Sequence, residues 1–273
     1  MRIESEEVGR SNRRYGLRLA DGSRIEAVLY RGDTLCISTQ VGCAVGCPFC
    51  ASGAQGLGRH LTLDELRGQV ERVRADHALR RVTLSGIGEP LHNHGATTAF
   101  LEWARGETLK VSLTTSGGPI RRLREWLHLP HNGLTISVHA GTEPTRARLV
   151  PRAPTLHELF DAIAAELPTM TRTRRKKTAL AYLLMLGNND SDAELDAFAS
   201  RVAPLALTTH LYAYNPVATS DARAVSRARY EEAYARLNDA GLNVRMSSQA
   251  RIEANGGCGT LVAIRAQSSS RNA

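Results

Sequence analysis

The 273-residue chain is poor in aromatics, 5% of its residues, and has only three lysines, Lys110, Lys176 and Lys177. Scarce aromatics leave no obvious stacking surface for single-stranded nucleic acid. No apolar run approaches the roughly 18 residues a membrane helix needs. The longest, Ala179 to Leu186, reads as a buried strand. The N-terminus, Met-Arg-Ile-Glu-Ser-Glu-Glu, leads into no apolar core of a signal peptide. A cytoplasmic protein with no membrane partner is therefore expected. Glycine and proline have no period, which excludes collagen-like classes.

What is present suits a soluble globular protein. The chain is 42% hydrophobic and 23% charged, and its length allows one large domain or two small ones. The net charge of +8 is carried by arginine. That excess is compatible with an RNA partner and equally with a genome rich in arginine codons. Five cysteines are an odd number. In a cytosolic chain this argues against a disulfide scaffold and for metal binding or reactive thiols.

The segments at 14–19 and 24–30 flank Asp21-Gly22 and read as a hairpin. Strands are then expected at 34–39, 81–85, 108–114, 134–139, 178–186 and 207–213. Helices are expected near 62–77, 95–105, 119–127, 155–166, 191–203 and 226–240. Thr62 and Glu65 form a capping-box pattern, followed by Leu63, Leu66, Val70 and Val73 at helical spacing. Repeated strand–helix units imply a parallel sheet. About six units are visible against the eight of a complete barrel, so periodicity leaves an open sheet and a partial barrel both available. The run Thr171 to Lys177 reads as a basic loop, either solvated or contacting phosphate.

Cys43-Ala-Val-Gly-Cys47-Pro-Phe-Cys50 follows the first of these strands, where α/β folds place their chemistry. Three thiolates on one loop can hold three corners of an iron–sulfur cube and leave the fourth iron open. A structural zinc site is the alternative, with His60 as a fourth ligand at unusual spacing. Unligated cysteines are the third reading.

The Cys-x-x-x-Cys-x-x-Cys spacing, with Phe49 before its last cysteine, resembles the radical S-adenosylmethionine (SAM) superfamily. The flanks narrow the likeness. Thr34 to Cys43, Gln55 to Thr62, Gly86 to Asn93, Leu113 to Gly117, Ile136 to Ala140, Tyr214-Asn215-Pro216 and Gly257-Cys258-Gly259 resemble the RlmN/Cfr adenosine methyltransferases, in that family's order. The resemblance runs from about Arg14 to Leu261.

The resemblance implies an α/β fold: a partial (β/α)6 TIM-like barrel over 34–246, preceded by a β-hairpin over 1–33 and followed by a C-terminal loop over 247–273. It implies a 4Fe-4S cluster on Cys43, Cys47 and Cys50. It places SAM contacts at Gly88, Glu89, Thr114, Ser137, Val138, His139 and Asn215. Thr114 keeps the hydroxyl of the family's usual serine, Gly88 would admit a close ligand, and Glu89 would accept bonds from an ammonium. Cys258 matches the cysteine that the family methylates, Cys36 the thiol that resolves the covalent intermediate, and Glu26 a carboxylate thought to act as general base. An electron donor such as flavodoxin or ferredoxin is implied as a partner.

Two departures bear on substrate. Only 25 residues precede Glu26, so the family's N-terminal accessory domain is expected to be absent. The loop before Cys258 is longer than its counterpart, and Ser247-Ser248-Gln249-Ala250 replaces charged residues. An RNA adenosine and a small nucleoside or heteroaromatic metabolite both stand as expected substrates. A non-enzymatic RNA-binding protein with a structural metal is the reading from another class.

Overall fold

The computed structural model describes residues 1–248, 253, 256–257 and 259–266. Cys258 lies outside the described residues. In chain order the elements are β1 (Arg2–Val8), β2 (Asn12–Arg18), β3 (Arg24–Tyr30), β4 (Thr34–Ile37), β5 (Gln40–Gly42), β6 (Leu57–His60), α1 (Leu63–Arg74), β7 (Arg81–Leu84), α2 (His94–Gly106), β8 (Lys110–Thr115), α3 (Ile120–His128) and β9 (Gly133–Ser137). They continue as α4 (Glu143–Leu149), α5 (Leu156–Glu166), α6 (Arg172–Lys176), β10 (Thr178–Leu184), α7 (Asp192–Val202), β11 (Thr208–Ala213), α8 (Arg227–Asp239) and β12 (Val244–Met246).

One mixed sheet of ten strands runs β1-β2-β3-β4-β7-β8-β9-β10-β11-β12 among the described residues. From β4 onward the strands pair in parallel. The expected hairpin is there as β2 and β3, antiparallel, and β3 also pairs with β4. The expected capping box forms: Thr62 Oγ1 accepts from the Glu65 N–H, and the Glu65 carboxylate accepts from the Thr62 N–H.

Strand alternation gives the sheet two unlike faces. Leu35, Ile37, Val82, Leu84, Val111, Leu113, Leu134 and Ile136 are buried in the main core. The intervening residues are small or polar: Cys36, Thr83, Ser112, Thr114, Thr135 and Ser137. In-register pairing puts Cys36 beside Thr83 and Val28, Thr83 beside Ser112, and Ser137 beside Ala181. Pairing residues share a face, so these line one inner surface. The Glu26, Val28 and Tyr30 side chains belong to it, two residues apart on β3.

Several elements depart from the sequence reading. β1 adds a third strand to the hairpin, antiparallel to β2. β5 and β6 form a small antiparallel pair bracketing the cysteine loop. The basic run is helix α6, capped by Thr171. It lies before β10, at the amino ends of the parallel strands. Arg174 there donates to the Leu129 and His131 carbonyls, so this cation braces the α3–β9 turn.

Candidate active site

At the carboxyl ends of the parallel strands lies a cavity lined by all three loop cysteines, Cys43, Cys47 and Cys50. Gly88 and Glu89 after β7, Thr114 on β8, Ser137 on β9 and His139 just beyond it line the same cavity. Strand ends are where parallel α/β barrels gather chemistry. Two other SAM-contact candidates stand outside the lining. Val138 packs into the core, and Asn215 is buried against Gly257, where an added Cβ would meet its Nδ2 at 2.6 Å.

The cysteine loop is fixed by its bracket. The Cys43 N–H donates to the Gly56 carbonyl at 3.1 Å, and Arg152 donates to the Ala44 carbonyl at 2.9 Å. Gly42 has φ +79°, and a Cβ there would meet the Gly56 carbonyl oxygen at 2.0 Å, so the β5–β6 pair needs glycine.

Burial pushes the Cys43 thiol up to about 12 and the Cys47 thiol well above its usual range; neighbouring thiols add to both effects. Thiols so placed ionise only when a cation arrives with the ligand they hold. Among the described residues no three His, Cys, Asp or Glu side chains converge tightly enough to hold a single metal ion. Three sulfurs spread around one cavity suit three corners of a cubane. The zinc alternative fails on His60, whose Nδ1 is 2.9 Å from Gln40 Nε2, away from the cysteines.

That contact belongs to a chain that aims Glu89. Gln40 Oε1 accepts from the Glu89 N–H at 2.8 Å. The Glu89 carboxylate accepts from Thr115 Oγ1 at 2.6 Å, the Ser116 N–H at 2.7 Å and the Leu91 N–H at 3.1 Å. A carboxylate so held is preorganised to receive a cationic amine. Gly88 has φ +111°, and a Cβ there would strike Gln40 Cβ at 2.8 Å and Thr39 Oγ1 at 2.7 Å. That packing by itself requires glycine, and Gly88 also lines the cavity.

His139 sits at φ +58°, a left-handed conformation rare for a non-glycine residue. Asn189 holds it through its carbonyl at 2.8 Å. Its Nδ1 accepts from the Leu183 N–H at 3.0 Å, which leaves the neutral ring's proton on Nε2. Burial first, and the Arg146 cation second, lower its pKa to about 3.

Cys36 is buried on the inner face, 3.3 Å from the hydroxyl of Ser85, and Ser85 lines the cavity. Glu26 lies farther along that face. Burial raises its pKa, against the Val262 N–H donating at 2.9 Å and the more distant Arg14. The C-terminal segment runs antiparallel to β3 across these residues. Gly256 accepts from Tyr30 Oη at 2.8 Å, Val262 meets Glu26, and Ile264 bridges to Arg24. Gly259 lines the cavity, and its carbonyl accepts from the Ala51 N–H at 2.9 Å.

Sequence reasoning missed Gln40, Thr115 and Arg146. Gln40 and Thr115 lie inside recognised motifs but act through side-chain hydrogen bonds that no spacing rule reveals. Arg146 is 1% exposed and donates to the carbonyls of Ser137, Val138, Ser116 and Pro154; on a short helix it reads as an ordinary surface charge.

Comparison with known proteins agrees with this geometry. The radical SAM superfamily model matches residues 37–199. A probable RNA methyltransferase from Aromatoleum aromaticum is 34% identical over 95% of this chain and 74% of its own length. A probable dual-specificity RNA methyltransferase RlmN from Rhodopirellula baltica is 32% identical over 90% of this chain and 69% of its own length. The crystal structure of a radical SAM methyltransferase from Sphaerobacter thermophilus superposes with a TM-score of 0.84 at 31% identity, covering 95% of this chain and 80% of that one. These likenesses set aside the non-enzymatic reading and bring with them the family's cofactors, a 4Fe-4S cluster and SAM. The chain belongs to the radical SAM superfamily and, within it, to the RlmN-type methyltransferases.

Proposed function

We propose that the protein methylates an electrophilic carbon of an adenine base in RNA, using Cys258 as methyl carrier and Cys36 as resolving thiol. The observation that carries this reading is the course of the C-terminal segment. It lays Gly256 against Val28, the cross-strand partner of Cys36, and sets Gly259 in the wall of the cavity. The names of the relatives support RNA as substrate.

When bound, the cluster and SAM supply a methyl group, one electron and a hydrogen-abstracting radical. The chain's own residues do the rest. Cys43, Cys47 and Cys50 hold the cluster, and Glu89 receives the SAM ammonium. The Cys258 sulfur takes the methyl group and, after loss of one hydrogen, joins that carbon to the base. Glu26 removes the ring proton; a carboxylate whose pKa burial has raised is the better base for it. Once the adduct has also given up its one surplus electron, the Cys36 thiolate attacks the Cys258 sulfur; the carbon released takes up a proton, which frees the methylated base and leaves a disulfide for an external reductant. The inward, small and polar strand faces leave room for a flat base above them. Helix α6 lies at the other end of the strands and takes no part in gripping the RNA near the site.

The test is anaerobic turnover with methyl-labelled SAM, offering ribosomal and transfer RNA beside adenosine, adenine nucleotides and other heteroaromatics. Label in an RNA adenine, absent with Cys43→Ala, is expected. Label only in a small compound transfers the chemistry to that substrate class, and no label in any acceptor contradicts the reading.

A further inference from the structure

Arg146 is a buried cation without an ion-pair partner among the described residues. Helix α4 carries it behind Ser116 and Ser137 of the cavity wall, and it is 1% exposed. Nε donates to the Pro154 carbonyl at 3.2 Å, Nη1 to Ser137 at 2.7 Å and Val138 at 2.9 Å, and Nη2 to Ser116 at 2.7 Å. Every one of these acceptors is neutral. The nearby acids make no direct bond to it, though their charge acts on it. Glu143 accepts from the Leu156 and His157 N–H groups, and Glu89 from Thr115, Ser116 and Leu91. Burial drags the Arg146 pKa down to about 10, with Cys47, Glu143 and Glu89 opposing it in that order. A buried guanidinium is costly; its four carbonyl acceptors and the Glu143 and Glu89 carboxylates offset part of that cost, and negative charge brought into the cavity offsets more.

Charge arithmetic identifies that negative charge. Three thiolates on a cubane of +2 core charge give a net charge of −1, and one added electron makes it −2. A fixed cation behind the cavity wall favours the more negative state, and its field is strong in a site shielded from water. The net charge around a cluster is one of the determinants of its potential. Arginine suits this position because it stays ionised in the interior and its forked donors bind several carbonyls at once.

We propose that Arg146 is a positioning residue that also acts through its charge. It fixes the carbonyl ends of β8 and β9 under the cavity and, as a permanent positive charge behind Ser116 and Ser137 in the wall that the cysteines share, biases the cluster toward its reduced state. The inference rests on the cluster reading of the three cysteines.

The test compares wild-type holoprotein with Arg146→Lys and Arg146→Gln, each reconstituted anaerobically with ferrous iron and sulfide. Iron and sulfide per chain are counted, and the cluster is titrated with redox mediators while its reduced form is followed by electron paramagnetic resonance. With Arg146→Gln the reduced-to-oxidised ratio at the wild-type midpoint should fall about tenfold, a downward shift of about 59 mV for a one-electron couple. Arg146→Lys should stay close to wild type. Loss of the cluster in Arg146→Gln alone supports the same role for the charge. An unshifted Arg146→Gln midpoint overturns the inference, as does a lysine variant shifted equally. Loss of the cluster in both variants, with a lowered melting temperature of the metal-free chain, overturns it too and leaves Arg146 a brace. Wild-type protein that takes up no iron and sulfide refutes instead the cluster reading.

Discussion

The hydroxyl of Tyr30 donates to the carbonyl of Gly256 at 2.8 Å, joining the third strand to a residue 226 positions later. Around that bond the C-terminal segment packs closely on β3: a Cβ on Gly256, which has φ +82°, would meet both Val28 methyls at 2.9 Å. Val28 is the cross-strand partner of Cys36. A single buried hydrogen bond thus helps set how the C-terminal segment lies against β3, beside the strand that carries Cys36.

Tyr30→Phe should therefore loosen that segment more than it destabilises the protein. The bond contributes about 1 kcal/mol, so product formation should fall roughly fivefold. SAM cleavage without product should persist, since the cysteine loop and Glu89 are untouched. Deoxyadenosine and methylated product, measured in one reaction, give the ratio. Equal loss of both would place Tyr30 in general stability rather than in carrier placement.

Acid sensitivity should come from the two deeply buried histidines, His139 in the site and His131 outside it, and His131 tests it free of the site. Its ring is fully buried, and neither nitrogen has a hydrogen-bond partner among the described residues. Burial first, then Arg174 and Lys177, push its pKa down to about 3. Unfolded, the ring takes up a proton below about pH 6.5; folded, it stays neutral. Stability is therefore unaffected by this group above pH 6.5 and is lost progressively as pH falls from there toward 3. At pH 5 the loss is about 2 kcal/mol from 1.36 kcal/mol per unit. Urea unfolding at pH 7.5 and pH 5 should show His131→Leu losing less stability than wild type by about that amount. Equal losses would refute it.

The parts legible in the sequence are those whose physics is local. Three cysteines on a short loop, a glycine turn between two strands, and Thr62 with Glu65 at a helix start all declare themselves within a few residues. The Gly-Glu-Pro turn and His139 end up in the cavity with those cysteines for the same reason: each closes a strand. What escaped is set by partners far along the chain. β1 is exposed throughout and offers no apolar alternation, and only its pairing with β2 makes it a strand. The basic run has no apolar face, so its single helical turns read as loop. Arg146 gains its meaning from carbonyls on three separate segments, and Gly88 from Thr39 and Gln40 across the sheet.

The central claim, a methyl group carried by Cys258 and released by Cys36, is tested most directly by mass spectrometry of the Cys36→Ala variant after anaerobic turnover. Without the attacking thiol, the carbon joining carrier and base should form and then persist. The peptide containing Cys258 should gain a substrate-sized mass, while Cys258→Ala forms neither adduct nor product. Normal turnover by Cys36→Ala, or product from Cys258→Ala, would contradict the account.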